Sequence, residues 1–368
     1  MNPSPQPPAS GSNEPPREAA PGPSLGCFAA AGTVVLGIAV AYYWRAAIGL
    51  PLSALAVVLL VRFFRRDAQR GTAYEERRTA RFAAVGPPVG NAWRTLLATE
   101  GLADWVPLVE PHVRPAVRLA TTPVNELPIG RSRIGGAPDL PTSMSWPERK
   151  KGSLPFLAQI DLEEAAPHVP DGRLPRSGYL WFFYDTVGWA GGEYAPNDGG
   201  GPIVFYEPGR PTLVRTSVPD DVPRKLRFPQ CAVTMAGYED MPDTDASEEL
   251  SRLFFEDDDK GDRYYVIEEY LAGATMGNAH KLLGCASSIQ GAMETECQQL
   301  KHGIAKRNDA RLKALEADLR NWRLLLQVES DPKAGMMWGD AGRLYFWIHD
   351  DDLRAGRFDQ TVMIMQCH

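Results

Sequence analysis

The stretch 334–353, AGMMWGDAGRLYFWIHDDDL, brings two tryptophans, four aspartates and a histidine together. Carboxylates and an imidazole beside indoles are the materials of an acid–base or ligand-binding site, and Trp338 and Asp340 are its first candidates. Further polar residues interrupt apolar segments elsewhere: Gln159, Gln290, Gln327 and Asp331, with Trp146 as another aromatic. A glutamine in the middle of an apolar strand must be hydrogen-bonded if buried, because an unpaired amide costs ~1–3 kcal/mol. Gln159 and Gln327 can meet that need in two ways. They bond each other or neighbouring backbone across a pseudo-twofold axis, or they line a small cleft between two halves, with an aromatic wall. The candidate ligand-binding set is therefore Trp338, Asp340, Gln327, Gln159, Gln290 and Asp331, and no residue is assigned as catalytic.

Other chemistries fit less well. His280, Cys285, Cys297 and His302 give H-x4-C-x11-C-x4-H. Structural zinc sites usually present ligands as C-x2–4-C or H-x3–5-H, whereas here each pair mixes types. No metal and no cofactor is expected. There is no G-x-S-x-G elbow, no phosphate loop of the G-x-x-x-x-G-K-[ST] kind and no strand–G-x-G-x-x-G–helix unit. The acidic runs EDDDKGD (256–262) and HDDDL (349–353) read as solvated turns or helix starts, where carboxylates meet the positive end of the dipole. A net charge of −7 argues against a nucleic-acid partner. Five irregularly spaced cysteines fit reduced thiols in a cytosolic compartment better than a disulfide framework.

The elements that must position these residues fall in three regimes. Residues 1–24 are proline-rich and read as a disordered tail. Residues 25–66 predict a transmembrane helical hairpin with spans at 27–44 and 46–64. Each span is apolar, and at 1.5 Å per residue an 18-residue helix covers ~27 Å of a ~30 Å hydrocarbon core. Arginines crowd the chain after residue 61, which places both termini and the rest of the chain on the cytoplasmic face of a bacterial cell membrane, with the lipid bilayer as a partner. Residues 67–129 read as a juxtamembrane helical linker, and 130–368 as the main domain. There, strands are expected at 154–162, 178–185, 202–208, 263–271, 322–330, 343–349 and 361–367, and helices at 245–255 and 301–321.

The domain also repeats itself. FLAQIDL then GYLWFFYD resembles LLLQVES then GRLYFWIH, which aligns Gln159 with Gln327, Asp161 with Glu329, Gly178 with Gly342 and Phe182 with Phe346. Upstream, SRIGGAPDLP (132–141) echoes HKLLGCASSIQ (280–290). The expected fold class is α+β: mostly antiparallel sheets from two repeated β-rich halves with a few helices, preceded by the transmembrane hairpin.

The order of SRIGGAPDLP with its following SWP, LPFLAQIDL, GYLWFFYD, HKLLGCASSIQGAMETEC, LLLQVESD and MMWGDAGRLYFWI resembles the YwqG-like family of bacterial proteins, a domain of unknown function, from about residue 130 onward. The resemblance implies an α+β fold and no established chemistry. Members resemble accessory and immunity-type genes found near polymorphic toxins. One departure is local: a proline is usual soon after the glycine of HKLLG, where this chain has Cys285-Ala286-Ser287-Ser288. Two functions follow as expectations. The first is a non-enzymatic module that binds a protein partner at the membrane, in a toxin-immunity setting. The alternative is an enzyme or small-ligand sensor that uses a cleft between the two halves.

Overall fold

The chain divides into a unit Met1–Ala73 and a unit Tyr74–His368. The computed structural model describes residues 90–149, 152–169, 172–184, 203–272 and 280–367, all within the second unit. The proline-rich tail, both candidate spans and the first part of the linker lie outside the described residues. Among the described residues no helix is long and apolar enough to cross a membrane. The longest described helix, Asp258–Ala272, has 15 residues. It would reach ~22 Å, and it carries charged residues along its length. The transmembrane hairpin in the expected fold class, the bilayer as partner and the two-span membrane localisation are corrected accordingly and carried no further.

Fourteen strands are described. The first seven are β1 (Arg114–Pro123), β2 (Arg133–Ile134), β3 (Asp139–Pro141), β4 (Glu148–Arg149), β5 (Gly152–Ser153), β6 (Phe156–Asp161) and β7 (Tyr179–Phe183). The rest are β8 (Val204–Glu207), β9 (Leu213–Arg215), β10 (Cys231–Asp240), β11 (Lys281–Leu283), β12 (Trp322–Glu329), β13 (Arg343–His349) and β14 (Val362–Gln366). Ten of them form one antiparallel sheet in the order β14-β13-β12-β11-β1-β10-β2-β6-β7-β8.

That order is a palindrome about its centre. The long strands β1 and β10 pair with Arg114 opposite Asp240 and Pro123 opposite Cys231. Outward from them, β2-β6-β7-β8 on one side matches β11-β12-β13-β14 on the other. The registers match as well: Arg133 faces Gln159 where Lys281 faces Gln327, and β6 and β12 each slip register at equivalent places, Phe156/Ala158 and Leu324/Leu326. The duplication read in the sequence is therefore present as geometry.

The two halves pack face to face. Phe182 and Phe346, aligned in the repeat, meet edge-on with ring centroids 5.2 Å apart. Around them lies the largest apolar core, fed by β1, β6, β7, β12 and β13. Side chains alternate along a strand, so Gln159, opposite Trp181, and Gln327, opposite Tyr345, point away from this interface. The opposite face of the central strands is covered by helices Ala92–Thr99 and Asp258–Ala272, whose Trp93, Tyr264 and Ile267 cluster with Trp105 and with Tyr238 of β10.

Several expected elements differ. Residues 263–271, read as a strand, belong to helix Asp258–Ala272, where Tyr264, Ile267 and Leu271 share one buried face at i, i+3 and i+7. The single helix expected over 301–321 is two. Gly303, at φ 61°, ends helix Glu294–His302, and a second helix begins only at Ala310. Central strand β1 occupies residues the sequence reading placed in the helical linker. Neither β1 nor β10 alternates cleanly, because each packs against a different core on each face.

Candidate functional site

Each half carries a row of polar side chains on its outer face, and the two rows are built alike. Ser132 Oγ accepts from the Asp161 amide at 2.9 Å, and His280 Nδ1 accepts from the Glu329 amide at 3.1 Å. Gln159 Oε1 accepts from the Asp139 amide at 2.8 Å, and Gln327 Oε1 from the Ser287 amide at 3.0 Å. Trp181 Nε1 donates to the Asp139 carbonyl at 2.9 Å, and Tyr345 Oη to the Ser287 carbonyl at 2.7 Å. Position by position, Arg133 corresponds to Lys281 and Asp139 to Ser287. The two glutamines thus satisfy local backbone, each in its own half.

The rows differ in how their charges are closed. In the first half Asp139 is fully buried and pairs with both Arg133 and Arg215. The Gly130 amide also donates to its Oδ2 at 2.8 Å. Arg133 reaches the Ala137 and Pro128 carbonyls and Gln230 besides, leaving only its Nε without a partner. Burial draws the Arg133 guanidinium down to about 10, opposed by Asp139. Both carboxylate oxygens of Asp139 are therefore bonded.

In the second half the carboxylate comes from a different element. Lys281 Nζ donates to Asp240 Oδ2 at 2.7 Å and to Ser287 Oγ at 3.0 Å. Asp240 Oδ2 also accepts from the Cys285 amide at 2.9 Å, within a turn whose Leu283 and Gly284 sit at φ 58° and 82°. A Cβ on Gly284 would lie 2.5 Å from that oxygen, so only glycine lets the turn wrap the carboxylate. Asp240 Oδ1 is buried with no hydrogen-bond partner among the described residues. Arg343 closes the row from β13, binding the Ser287 carbonyl at 2.8 Å and Glu329 at 3.1 Å. Asp243 holds the Ser288 amide at 3.0 Å and its hydroxyl.

Helix Asp258–Ala272 delivers Glu268 to this cluster. Glu268 is only 4% exposed. Burial, reinforced by Asp243 and Asp240 and opposed by Lys281 and Arg343, pushes its carboxyl well above the usual range. On the same helix, burial and Glu269 push the Tyr265 phenol up to about 12. Glu268 was hidden from the sequence reading by the misread strand at 263–271. The signal that could have found it was the helical spacing of Tyr264, Ile267 and Leu271 behind the acidic start Asp258-Asp259.

The six sequence candidates do not converge. Gln159 and Gln327 lie in different halves, and Gln290 is exposed, donating to the Cys367 carbonyl at 2.9 Å. Asp331 is buried beneath the second row and accepts from Thr121 at 2.7 Å, His280 at 3.2 Å and the Lys333 amide at 2.8 Å. Its burial acts to raise the carboxyl, but the bonds from His280 and Thr121 outweigh that and hold it at about 2. Asp340 is exposed on the turn 339–342. Trp338 packs in the main core against Tyr184 and Phe228, its indole N–H without an acceptor among the described residues. Trp146 donates to the Leu154 carbonyl at 3.0 Å.

The chemistry available in the second row is restricted. Lys281 and Ser287 resemble a serine–lysine pair, but Lys281 Nζ donates to both Asp240 Oδ2 and Ser287 Oγ rather than accepting from the hydroxyl. Burial and Asp240 push the Cys285 thiol up, away from thiolate. His280 is engaged on both ring nitrogens, by Asp331 and by the Glu329 amide. Cys297 belongs to a separate apolar cluster with Trp322. Among the described residues no group of three or more His, Cys, Asp or Glu side chains is placed to hold a metal ion. A groove of about 640 Å³ lies elsewhere, lined by Trp93, Arg94, Glu110, His168 and Glu239 among others. Its charges are matched: Arg94 lies 4.4 Å above the Trp93 ring and pairs with Glu110, and Trp93 Nε1 donates to Glu239 at 2.6 Å.

A family described as a domain of unknown function (DUF1963) matches residues 132–367. The chain belongs to the DUF1963 family. No curated protein matches the chain. The DUF1963 match takes in both polar rows, from Ser132 to Tyr345, together with Asp240 and Glu268. Helix Ala92–Thr99 and strand β1 lie before it, although β1 is the central strand of the sheet.

Proposed function

We propose that this DUF1963 domain, of YwqG-like type on the order of its motifs, is a non-enzymatic binding module whose ligand docks at the polar cluster of the second half. One observation carries the reading. Two rows with the same backbone plan differ in that Asp139 is bonded on both oxygens, while Asp240 Oδ1 is buried with no hydrogen-bond partner among the described residues. A buried polar group left unpaired costs ~1–3 kcal/mol, and a bound ligand that pairs it recovers that cost. The lack of an activated nucleophile or base in the cluster supports binding over catalysis. A protein partner in a toxin-immunity setting is the second reading, supported by the YwqG-like resemblance and by the exposed side chains Phe255 and Met337.

The test is a thermal-shift screen of the full chain against small polar compounds, repeated on Glu268→Gln and Ser287→Ala. Compounds that stabilise the parent should bind the variants at least ~10-fold more weakly, about 1.4 kcal/mol. If every stabilising compound binds all three proteins equally, the site is elsewhere and the proposal is wrong.

A further inference from the structure

We propose that the groove beside helix Ala92–Thr99 is a second binding site, one that takes an uncharged planar aromatic ring carrying an N–H donor. None of its lining residues belongs to the second polar row, and its volume of about 640 Å³ is that of a small-molecule pocket. One wall is a ladder fixed side chain by side chain. Glu239 accepts from the Trp93 indole N–H at 2.6 Å, Arg94 lies 4.4 Å above the Trp93 ring, and Glu110 pairs with Arg94. Trp93 is 1% exposed, so its ring is backing only, whereas the Arg94 side chain is 42% exposed and turns the other face of its guanidinium to the groove. A guanidinium plane stacks well on aromatic rings. A second wall comes from Pro167 and His168 of the turn Ala166–His168, and Pro115 adds another flat ring. Gly237 lets that turn close in, because a Cβ there would lie 3.1 Å from the His168 carbonyl oxygen. These surfaces suit a flat ligand.

Charge and hydrogen bonding define the polar end. The lining carries Arg94, Glu110 and Glu239, and Arg114 stands beside it with its guanidinium on the Pro111 and Val113 carbonyls, each at 2.9 Å. Two guanidinium groups thus stand against two carboxylates, and an ion of either sign would upset that balance. Glu239 spends one oxygen on Trp93 and keeps a second to accept an N–H, while the His168 imidazole brings one donor and one acceptor. Arg94 and Glu110 are committed to each other. A polyhydroxylated ligand would leave most of its hydroxyls unpaired. One N–H donor and one acceptor on a flat ring match what is offered.

The test uses the full chain and four probes of similar size: benzamide, cyclohexanecarboxamide, benzoate and benzylamine. Amide NMR signals of Gly90 and Gly237 report the groove, and those of Cys285 and Ser287 report the second polar row. Benzamide is expected to move both glycine signals and leave the other two in place, with the remaining probes binding at least ~5-fold more weakly. Arg94→Lys keeps a cation for Glu110 but removes the planar face, so benzamide should lose its advantage over cyclohexanecarboxamide. Glu239→Gln keeps an acceptor for Trp93 but turns an amide N–H toward the ligand, which should weaken benzamide at least ~5-fold. If no probe moves the glycine signals, or if only Cys285 and Ser287 move, the groove is not the site. If cyclohexanecarboxamide matches benzamide, or Arg94→Lys leaves benzamide unaffected, ring stacking is not the recognition and the inferred class is wrong. Tightest binding by benzoate or benzylamine overturns the neutral assignment.

Discussion

At the scale of single residues, hydrogen bonding to a buried carboxylate decides whether it is charged. Asp331 and Glu268 are both buried acids near the second row, yet they are driven in opposite directions. Asp331 accepts three hydrogen bonds and is held at about 2, whereas burial pushes the Glu268 carboxyl up. Because the folded value of Asp331 is depressed, the stability it contributes is present above its ordinary value near 3.8 and is lost as pH falls toward about 2. Asp331→Asn is expected to cost ~1–3 kcal/mol at neutral pH, and the gap should narrow in acid. Urea denaturation of both proteins at pH 7 and pH 3 measures it. An equal gap at the two pH values would mean that the carboxylate charge does not matter.

At the scale of elements, glycines mark where one strand approaches the next. Gly178 and Gly342 occupy equivalent places at the starts of β7 and β13. A Cβ on the first would lie 2.4 Å from the Glu207 carbonyl oxygen, and on the second 2.2 Å from that of Gln366. Both clashes are with backbone of the adjoining strand, so each alanine substitution should cost ~1–3 kcal/mol by overpacking. Gly178, at φ +104°, adds backbone strain and should cost more; thermal unfolding of the two variants ranks them. These glycines were legible in the sequence, as were β6, β7, β12, β13 and β14, because their apolar runs are short and bounded by turns. The central strands were not. β1 begins Arg114-Pro115 and carries buried Arg118, and β10 contains Gly237, so neither reads as an apolar or alternating run. Helix Asp258–Ala272 was read as a strand because Tyr264, Tyr265, Val266 and Ile267 are consecutive β-formers, and tertiary packing of one helical face overrode that propensity.

At the scale of the whole molecule, the domain is one plan used twice and then finished differently. The repeated motifs made the duplication and the correspondence of Gln159 to Gln327 visible in advance. They could not say that the glutamines would face outward, because that depends on Phe182 and Phe346 filling the interface between halves. Nor could they locate the asymmetry, since Arg215 and Asp139 close the first row while Asp240 and Glu268 enter the second from segments with no counterpart in the repeat. The binding site proposed for the second row requires that the row be left electrostatically incomplete at Glu268. Its most direct test compares the unfolding free energy of the full chain and Glu268→Gln between about pH 5 and pH 8. A carboxyl raised in the folded state contributes stability that is full below its ordinary value of 4.5 and is lost as pH rises toward the folded value. The glutamine variant escapes that loss, so its advantage over the parent is predicted to grow steadily across the range. A difference that stays constant, or a variant that becomes the less stable protein at pH 8, would mean that Glu268 is an ionised, paired carboxylate and that the second row is electrostatically complete.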